Sequence, residues 1–209
     1  AISAGSVWVP NSRHDQPDDS VERARIYLQS TVGDPLRPEL CEAFLVRGPE
    51  MVGFLEDNSE VRFRAYAYHP DYLATAEGAT LKGRVLEAVP FDGRRLGRDL
   101  ALLRRPLPEF TLFGGMMVDR IDIGHLLNAN RSFKSFRHAL GLLGRYGLDR
   151  LRYPRGTRLV MGNALAGRLL FSALRSGVEL RIGTAVSGLI ETEGRIDGVV
   201  LPDGRHLLA

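Results

Sequence analysis

Cys41 is the only cysteine among 209 residues. It cannot close an internal disulfide, and with no partner at ligand spacing it reads as a buried, reduced thiol. Lysine is nearly as scarce, since Lys82 and Lys134 are the only two among 28 basic residues. The net charge of +3 is therefore an arginine charge, spread along the chain among 25 acids. That mixture describes a solvated surface and excludes a nucleic-acid groove. No apolar run approaches the ~20 residues of a membrane-spanning helix. No basic segment followed by an apolar one marks a targeting signal, so a cytoplasmic location is expected. Gly-x-Ser-x-Gly is missing, which removes the support for Ser-His-Asp hydrolysis. The five histidines, His14, His69, His125, His138 and His206, show no metal spacing and read as surface or packing residues, so no metal is expected. Also missing is a Gly-x-Gly-x-x-Gly cradle for a dinucleotide phosphate.

What remains is ordinary globular material, 44% hydrophobic and 25% charged, long enough for one or two domains. The pattern predicts an α+β fold, with an α/β layer towards the C-terminus. In that last stretch Asn163 is placed to cap a helix carrying Leu165, Leu169, Leu170, Ala173 and Leu174, and Gly177 stops it. Extended chain is expected over Val178–Ile190, then a turn at Glu193-Gly194 and a strand over Ile196–Leu201.

Earlier in the chain, Asp15–Asp19 reads as a polar link, and Asp19 with Glu22 as a capping-box start to a helix reaching Val32, ended by Gly33-Asp34-Pro35. Pro38 and Pro49 both suit a first helical position, which predicts separate helices over Pro38–Val46 and from Pro49 to near Asn58. Val61–Tyr68 alternates apolar residues with Arg62, Arg64, Tyr66 and Tyr68, the pattern of a strand with one apolar face. A second strand is expected over Lys82–Glu87, and Phe91-Asp92-Gly93-Arg94-Arg95-Leu96-Gly97 is expected to turn back into a helix that Pro106 and Pro108 interrupt. Gly114-Gly115-Met116-Met117 reads as a packed loop or hinge, Ile121–Leu151 as helix, and Arg155 and Arg158 as surface residues.

Several stretches share one resemblance. Gly162-Asn163-x-Leu165, Ser176-Gly177-Val178-Glu179-Leu180, Thr184-Ala185-Val186-x-x-Leu189 and Gly194-Arg195-x-x-Gly198-Val199 resemble the flavin-binding half of the fumarate reductase and succinate dehydrogenase flavoprotein superfamily. Ser3-Ala4-Gly5-Ser6, followed by Val7-Trp8-Val9-Pro10-Asn11, resembles the Ser-Gly-Gly-x-x-Trp-x-Pro-Asn segment of its 3-ketosteroid dehydrogenase branch, with Ala4 in place of a glycine. Asp71-Tyr72 with Gly78 downstream resembles the Asp-Tyr motif of that branch, in whose cap a tyrosine faces the flavin across the substrate ring.

The resemblance implies FAD as cofactor of the full-length protein, held in part by Ser3, Ala4, Gly5, Ser6, Ala185 and Val186, with Tyr72 as the catalytic residue. It implies desaturation of a carbon–carbon bond beside a ketone, by proton abstraction and hydride transfer, on an apolar ketone such as a steroid; the electron acceptor stays open. The division that follows is residues 1–18 as the edge of a flavin domain, 19–153 as a substrate cap and 154–209 as the return to the flavin domain. Because the glycine-rich phosphate segments are missing, the chain is expected to be a fragment, inactive and without FAD on its own. Two alternatives stand beside this reading. A fumarate reductase-like flavoprotein acting on another substrate is one, although Gly124-His125-Leu126 lacks the hydroxyl and arginine that a dicarboxylate needs. A non-enzymatic binding module derived from the cap is the other.

Overall fold

The computed structural model describes residues 3–14, 19–33 and 37–208. The expected polar link over 15–18 and the helix stop at Asp34-Pro35 lie outside them. The chain divides into two compact units, 1–173 and 174–209. The mixture of helices and short antiparallel strands is the expected α+β class.

The first unit is built around a three-stranded antiparallel sheet. Its central strand is β3 (Val85–Ala88), flanked by β1 (Val7–Trp8) and β2 (Phe63–Ala65), with Val7 opposite Leu86 and Phe63 opposite Ala88. Every residue of β3 is buried, as a central strand covered on both faces requires. The alternation from Val61 delivers Val61 and Phe63 to a core with Val9, Val52 and Leu86. The ladder is shorter than the pattern predicts, because the chain leaves the sheet after Ala65 and Tyr68 is exposed.

Helix α1 (Val21–Val32) packs through Ala24 against Cys41 and Leu45 of α2 (Pro38–Asn58). Cys41 is buried and free, and burial pushes its thiol pKa up. The cap of α1 is Ser20, whose hydroxyl accepts from Arg23 N at 3.1 Å; Asp19 has another task, described below.

The two helices expected over Pro38–Val46 and Pro49–Asn58 are one. Pro49 sits inside α2, where an interior proline costs about 3 kcal/mol. Cys41, Leu45, Gly48, Val52 and Glu56 nevertheless continue one buried stripe through it. Burying Leu45 and Val52 on either side, at about 1.5–3 kcal/mol each, outweighs that cost.

After β4 (Phe91–Asp92), 3₁₀ turns run over Gly93–Leu102 and break at Gly97, where φ is 56°, so the continuous helix expected there does not form. The methionine stretch forms a hairpin of β5 (Thr111–Leu112) and β6 (Met116–Met117). Met116 packs with Val118 and Leu142. The long helix expected over Ile121–Leu151 is two, α3 (Arg120–Leu127) and α4 (Phe133–Arg152), separated where Asn128 closes the last turn of α3. Strand β7 (Arg158–Leu159) pairs with β4, and α5 (Met161–Arg175) follows. Asn163 does not cap α5. It lies inside the first turn, 1% exposed, with Nδ2 3.5 Å from Met117 Sδ, because Met161 at φ 53° has already turned the chain.

In the second unit the expected turn is present. Glu193 (φ 51°) and Gly194 (φ 79°) form a two-residue connection between β8 (Gly188–Thr192) and β9 (Arg195–Val200), both in the left-handed region that such hairpins require. A third strand, β10 (His206–Leu208), completes an antiparallel meander. Val178–Ile182, expected as extended strand, joins no ladder. Among the described residues no helix is long and apolar enough to cross a membrane.

Candidate active site

Asp71 and Tyr72 are neighbours with opposite fates: Asp71 is 4% exposed and Tyr72 96%. The chain turns from Tyr72 onward, so the carboxylate stays inside while the phenol points out. Asp71 Oδ1 accepts from Trp8 Nε1 at 2.7 Å. Its Oδ2 accepts from Thr80 N at 2.9 Å and from Arg84 Nη1 at 2.9 Å. Arg84, 1% exposed, reaches back with Nε and Nη2 to Asp19 at 2.7 and 2.6 Å. Its guanidinium also lies 5.6 Å from the ring centres of both Trp8 and Tyr27. One buried arginine thus ties the N-terminal strand, the approach to α1 and the Asp71 loop to the start of β3. Charges so thoroughly desolvated hold only because each is paired and hydrogen-bonded.

The loop is pinned from its other side by α1. Tyr27 Oη accepts from Leu73 N at 3.2 Å, and Arg23 Nη2 donates to Ala79 O at 2.8 Å. Gly78 stands at φ 77°, where a Cβ would overlap Arg23 O and lie 2.7 Å from Tyr27 N. The glycine that follows the Asp-Tyr pair is therefore required by helix contact.

Tyr72 opens onto a cavity of about 430 Å³. Ser3, Ala4 and Ser6 line the same cavity, so the structure brings the N-terminal small-residue loop and the tyrosine to one place. Gly5 has φ 69°, and a Cβ there would stand 2.5 Å from Gly162 Cα. The loop is thereby pressed onto the first turn of α5 by glycine against glycine. Ser3, Ala4 and Ser6 are exposed and carry little bulk, which leaves backbone open to a flat ligand. Ala185 and Val186 belong to the second unit, exposed and outside any strand, just before β8.

A second tyrosine lines the cavity that sequence reasoning took only as the outer face of a strand. Tyr66 Oη and Ser6 Oγ are 3.2 Å apart, and Arg120 lies over the Tyr66 ring at 4.9 Å. Burial, with help from nearby Glu87, holds the Tyr66 pKa above its ordinary value against the opposing pull of Ser6 and Arg120. It stays a hydrogen-bond donor where an ionised phenol could not. The alternation of Val61–Tyr68 placed Tyr66 on the right face, but nothing in the sequence put Ser6 across from it.

Beneath the cavity runs an ion network. Glu87, which lines the cavity, accepts from Arg64 Nε at 2.8 Å, and Arg64 Nη2 donates to Asp119 at 3.0 Å. Asp119 caps α3 in a reciprocal box with Asp122, and Arg158 Nη1 donates to Asp122 at 2.6 Å. Arg158 is thus a half-buried partner of two carboxylates, and Arg155 is 7% exposed; the expected surface role holds for neither. Their hydrogen-bond partners lie 36 or more positions away, out of reach of any local pattern. Of the histidines, His138 Nε2 is 2.8 Å from Asp122 Oδ1 and His14 Nε2 is 2.9 Å from Glu56 Oε2. Among the described residues no group of three His, Cys, Asp or Glu could hold a metal ion.

The FAD binding domain family matches residues 1–207. The chain belongs to that family. FAD is the cofactor that goes with this FAD binding domain. Over 213 residues the chain is 32% identical to the 3-oxosteroid 1-dehydrogenase of Mycobacterium tuberculosis, covering 99% of this chain and 36% of that relative. It is also 32% identical over 208 residues to the 4-oxocyclohex-2-ene-1-carboxylate 5-dehydrogenase of Sinomonas cyclohexanicum, covering 99% and 35%. Its structure is similar, with a TM-score of 0.85 and 29% identity, to the 3-ketosteroid delta1-dehydrogenase of Sterolibacterium denitrificans in complex with 1,4-androstadiene-3,17-dione. That match covers 100% of this chain and 38% of the other. The FAD binding domain described here thus spans little more than a third of the length of these relatives.

Proposed function

We propose that this chain is the substrate-facing part of an FAD-dependent dehydrogenase that introduces a double bond beside a ring ketone, with a 3-ketosteroid as the substrate class. One observation carries the reading: Tyr72 and the Ser3–Ser6 loop share one cavity, held there by the buried Asp19–Arg84–Asp71 triad. Such a reaction needs a base on one face of a flat ring and a hydride acceptor on the other, with the ketone polarised between them. FAD, when bound, takes the hydride.

The chain's own residues supply the rest. Tyr72 Oη takes the proton from the carbon beside the carbonyl. Arg120 and Tyr66 line the same cavity beside it. Tyr66, kept protonated by burial, donates a hydrogen bond to the ketone oxygen as negative charge develops there. Ser3, Ala4, Gly5 and Ser6 give the flavin ring close backbone approach. Ala185 and Val186 serve the adenine side of FAD. On this reading residues 1–18 are the edge of the flavin domain, 19–153 the cap and 154–209 the return.

A second reading rests on Arg120. A ring ketone bearing a carboxylate would set that carboxylate on the Arg120 guanidinium, which makes no ion pair among the described residues and reaches the cavity from the start of α3. The experiment is turnover by the full-length protein, with an artificial electron acceptor, of a 3-keto-4-ene steroid and of 4-oxocyclohexanecarboxylate. Steroid turnover supports the first reading. Turnover of the small acid alone, lost in Arg120→Gln, supports the second, and no turnover of any ring ketone counts against both.

A further inference from the structure

A different cavity, of about 550 Å³, opens where the Gly93–Leu102 turns face the chain leaving α4. It shares no lining residue with the Tyr72 cavity. Its charged groups are all of one sign: Arg98, Arg105 and Arg155 line it and no acidic residue does. Its walls are apolar, with Leu100 and Leu103 on one side and Pro154 on the other.

Arg155 is the informative member. Its side chain is more than nine-tenths buried, and Nη1 donates to Leu103 O at 3.1 Å. Nη2 is buried without any hydrogen-bond partner. Burial and the neighbouring positive charge of Arg105 both push the Arg155 pKa down, and no carboxylate offsets them. Nor do Arg98, Arg105 or Arg155 make an ion pair among the described residues. Two other buried arginines differ: Arg84 is paired with two carboxylates, and Arg168 donates through Nε, Nη1 and Nη2 to three backbone carbonyls. A buried guanidinium with an orphaned N–H and a second arginine beside it is costly, and it becomes favourable when an anion seats between the charges.

The structure assigns this cavity as a binding site for a small organic acid, its carboxylate held between the exposed Arg98 and Arg105 guanidinium groups close to the buried charge of Arg155, and its apolar body along Leu100, Leu103 and Pro154. The volume lies within the range of small-molecule sites. The Tyr72 cavity and its chemistry play no part in the assignment.

The test is calorimetric titration of the full-length flavoprotein with octanoate and, as the uncharged control, octan-1-ol. Wild type is expected to bind octanoate at a saturable site and octan-1-ol far more weakly. The double variant Arg98→Gln/Arg105→Gln, at two exposed positions, should bind octanoate about tenfold or more weakly with its flavin spectrum unchanged. Arg155→Met is the second arm and should abolish binding; should it fail to fold, the exposed pair still decides. Absence of saturable octanoate binding in wild type overturns the assignment, as does equal affinity in the double variant. So does a full-length crystal structure that places one of the protein's own carboxylates on Arg155 Nη2.

Discussion

Arg84 Nη1 donates to Asp71 Oδ2 across 2.9 Å, and both side chains are 1% exposed. The next residue along is the 96%-exposed Tyr72. The pair is the means by which a buried charge aims a solvent-facing phenol, and the account of the site depends on it.

Removing one member leaves the other charge buried and uncompensated. Arg84→Met should therefore destabilise the fold by about 3–5 kcal/mol, with Asp19 and Asp71 both stranded. Urea unfolding of the full-length protein measures this. A loss below about 1 kcal/mol would mean the triad is solvated in solution.

Tyr72→Phe should act in the opposite manner. An exposed side chain with no buried role leaves stability within about 0.5 kcal/mol. Turnover should fall by roughly 10²–10⁴-fold if its oxygen handles the proton. Tyr66→Phe should cost about a hundredfold in kcat through loss of a donor to the ketone oxygen. Steady-state kinetics on both variants, with unfolding midpoints beside them, separates these roles from simple packing.

Gly5→Ala tests the loop. A Cβ at φ 69°, 2.5 Å from Gly162 Cα, must push the Ser3–Ser6 segment off α5. The left-handed backbone alone costs about 1–2 kcal/mol. The expected outcome is full-length protein purified with reduced flavin content, read from its visible absorbance. Wild-type flavin occupancy in this variant would remove the loop from the cofactor site.

Acid stability should report on Asp119. Burial alone would raise its pKa, but the Asp122 N–H and the charges of Arg158 and Arg64 outweigh this and hold it below the ordinary carboxylate value. With a folded pKa below the unfolded value of ~3.9, its contribution is fully present above that pH and is lost as pH falls through the folded pKa. Unfolding midpoints between neutral and acid pH should therefore drop more steeply in wild type than in Asp119→Asn.

Local features were the legible ones. The Glu193-Gly194 turn needed only residues that tolerate positive φ. Helical spacing misled over the face of α5: Gly162, Asn163, Ala164, Gly167 and Arg168 are buried rather than the leucines at helical spacing, because small residues let the helix close on Leu159 and Phe91. Pro49 misled because its local cost is overruled by burial that the neighbouring sheet supplies, with Gly48 set against Val9. Asn163 misled because an amide suited to a cap is equally suited to a buried first turn facing Met117. At the site, Asp71-Tyr72 and the Ser3–Ser6 loop stood out as motifs. The groups that orient them did not, since Asp19 lies 65 positions from Arg84 and Ser6 lies 60 from Tyr66. Such pairs exist only once the sheet has formed.

The central claim is that a ring ketone lies between Tyr72 and the flavin, and one anaerobic mixing experiment reaches it most directly. Full-length protein with oxidised FAD is mixed with a 3-keto-4-ene steroid and the oxidised-flavin absorbance is followed through a single turnover. The account predicts rapid bleaching in wild type and bleaching slowed by roughly 10²-fold or more in Tyr72→Phe. Equal bleaching rates in the two proteins would contradict it.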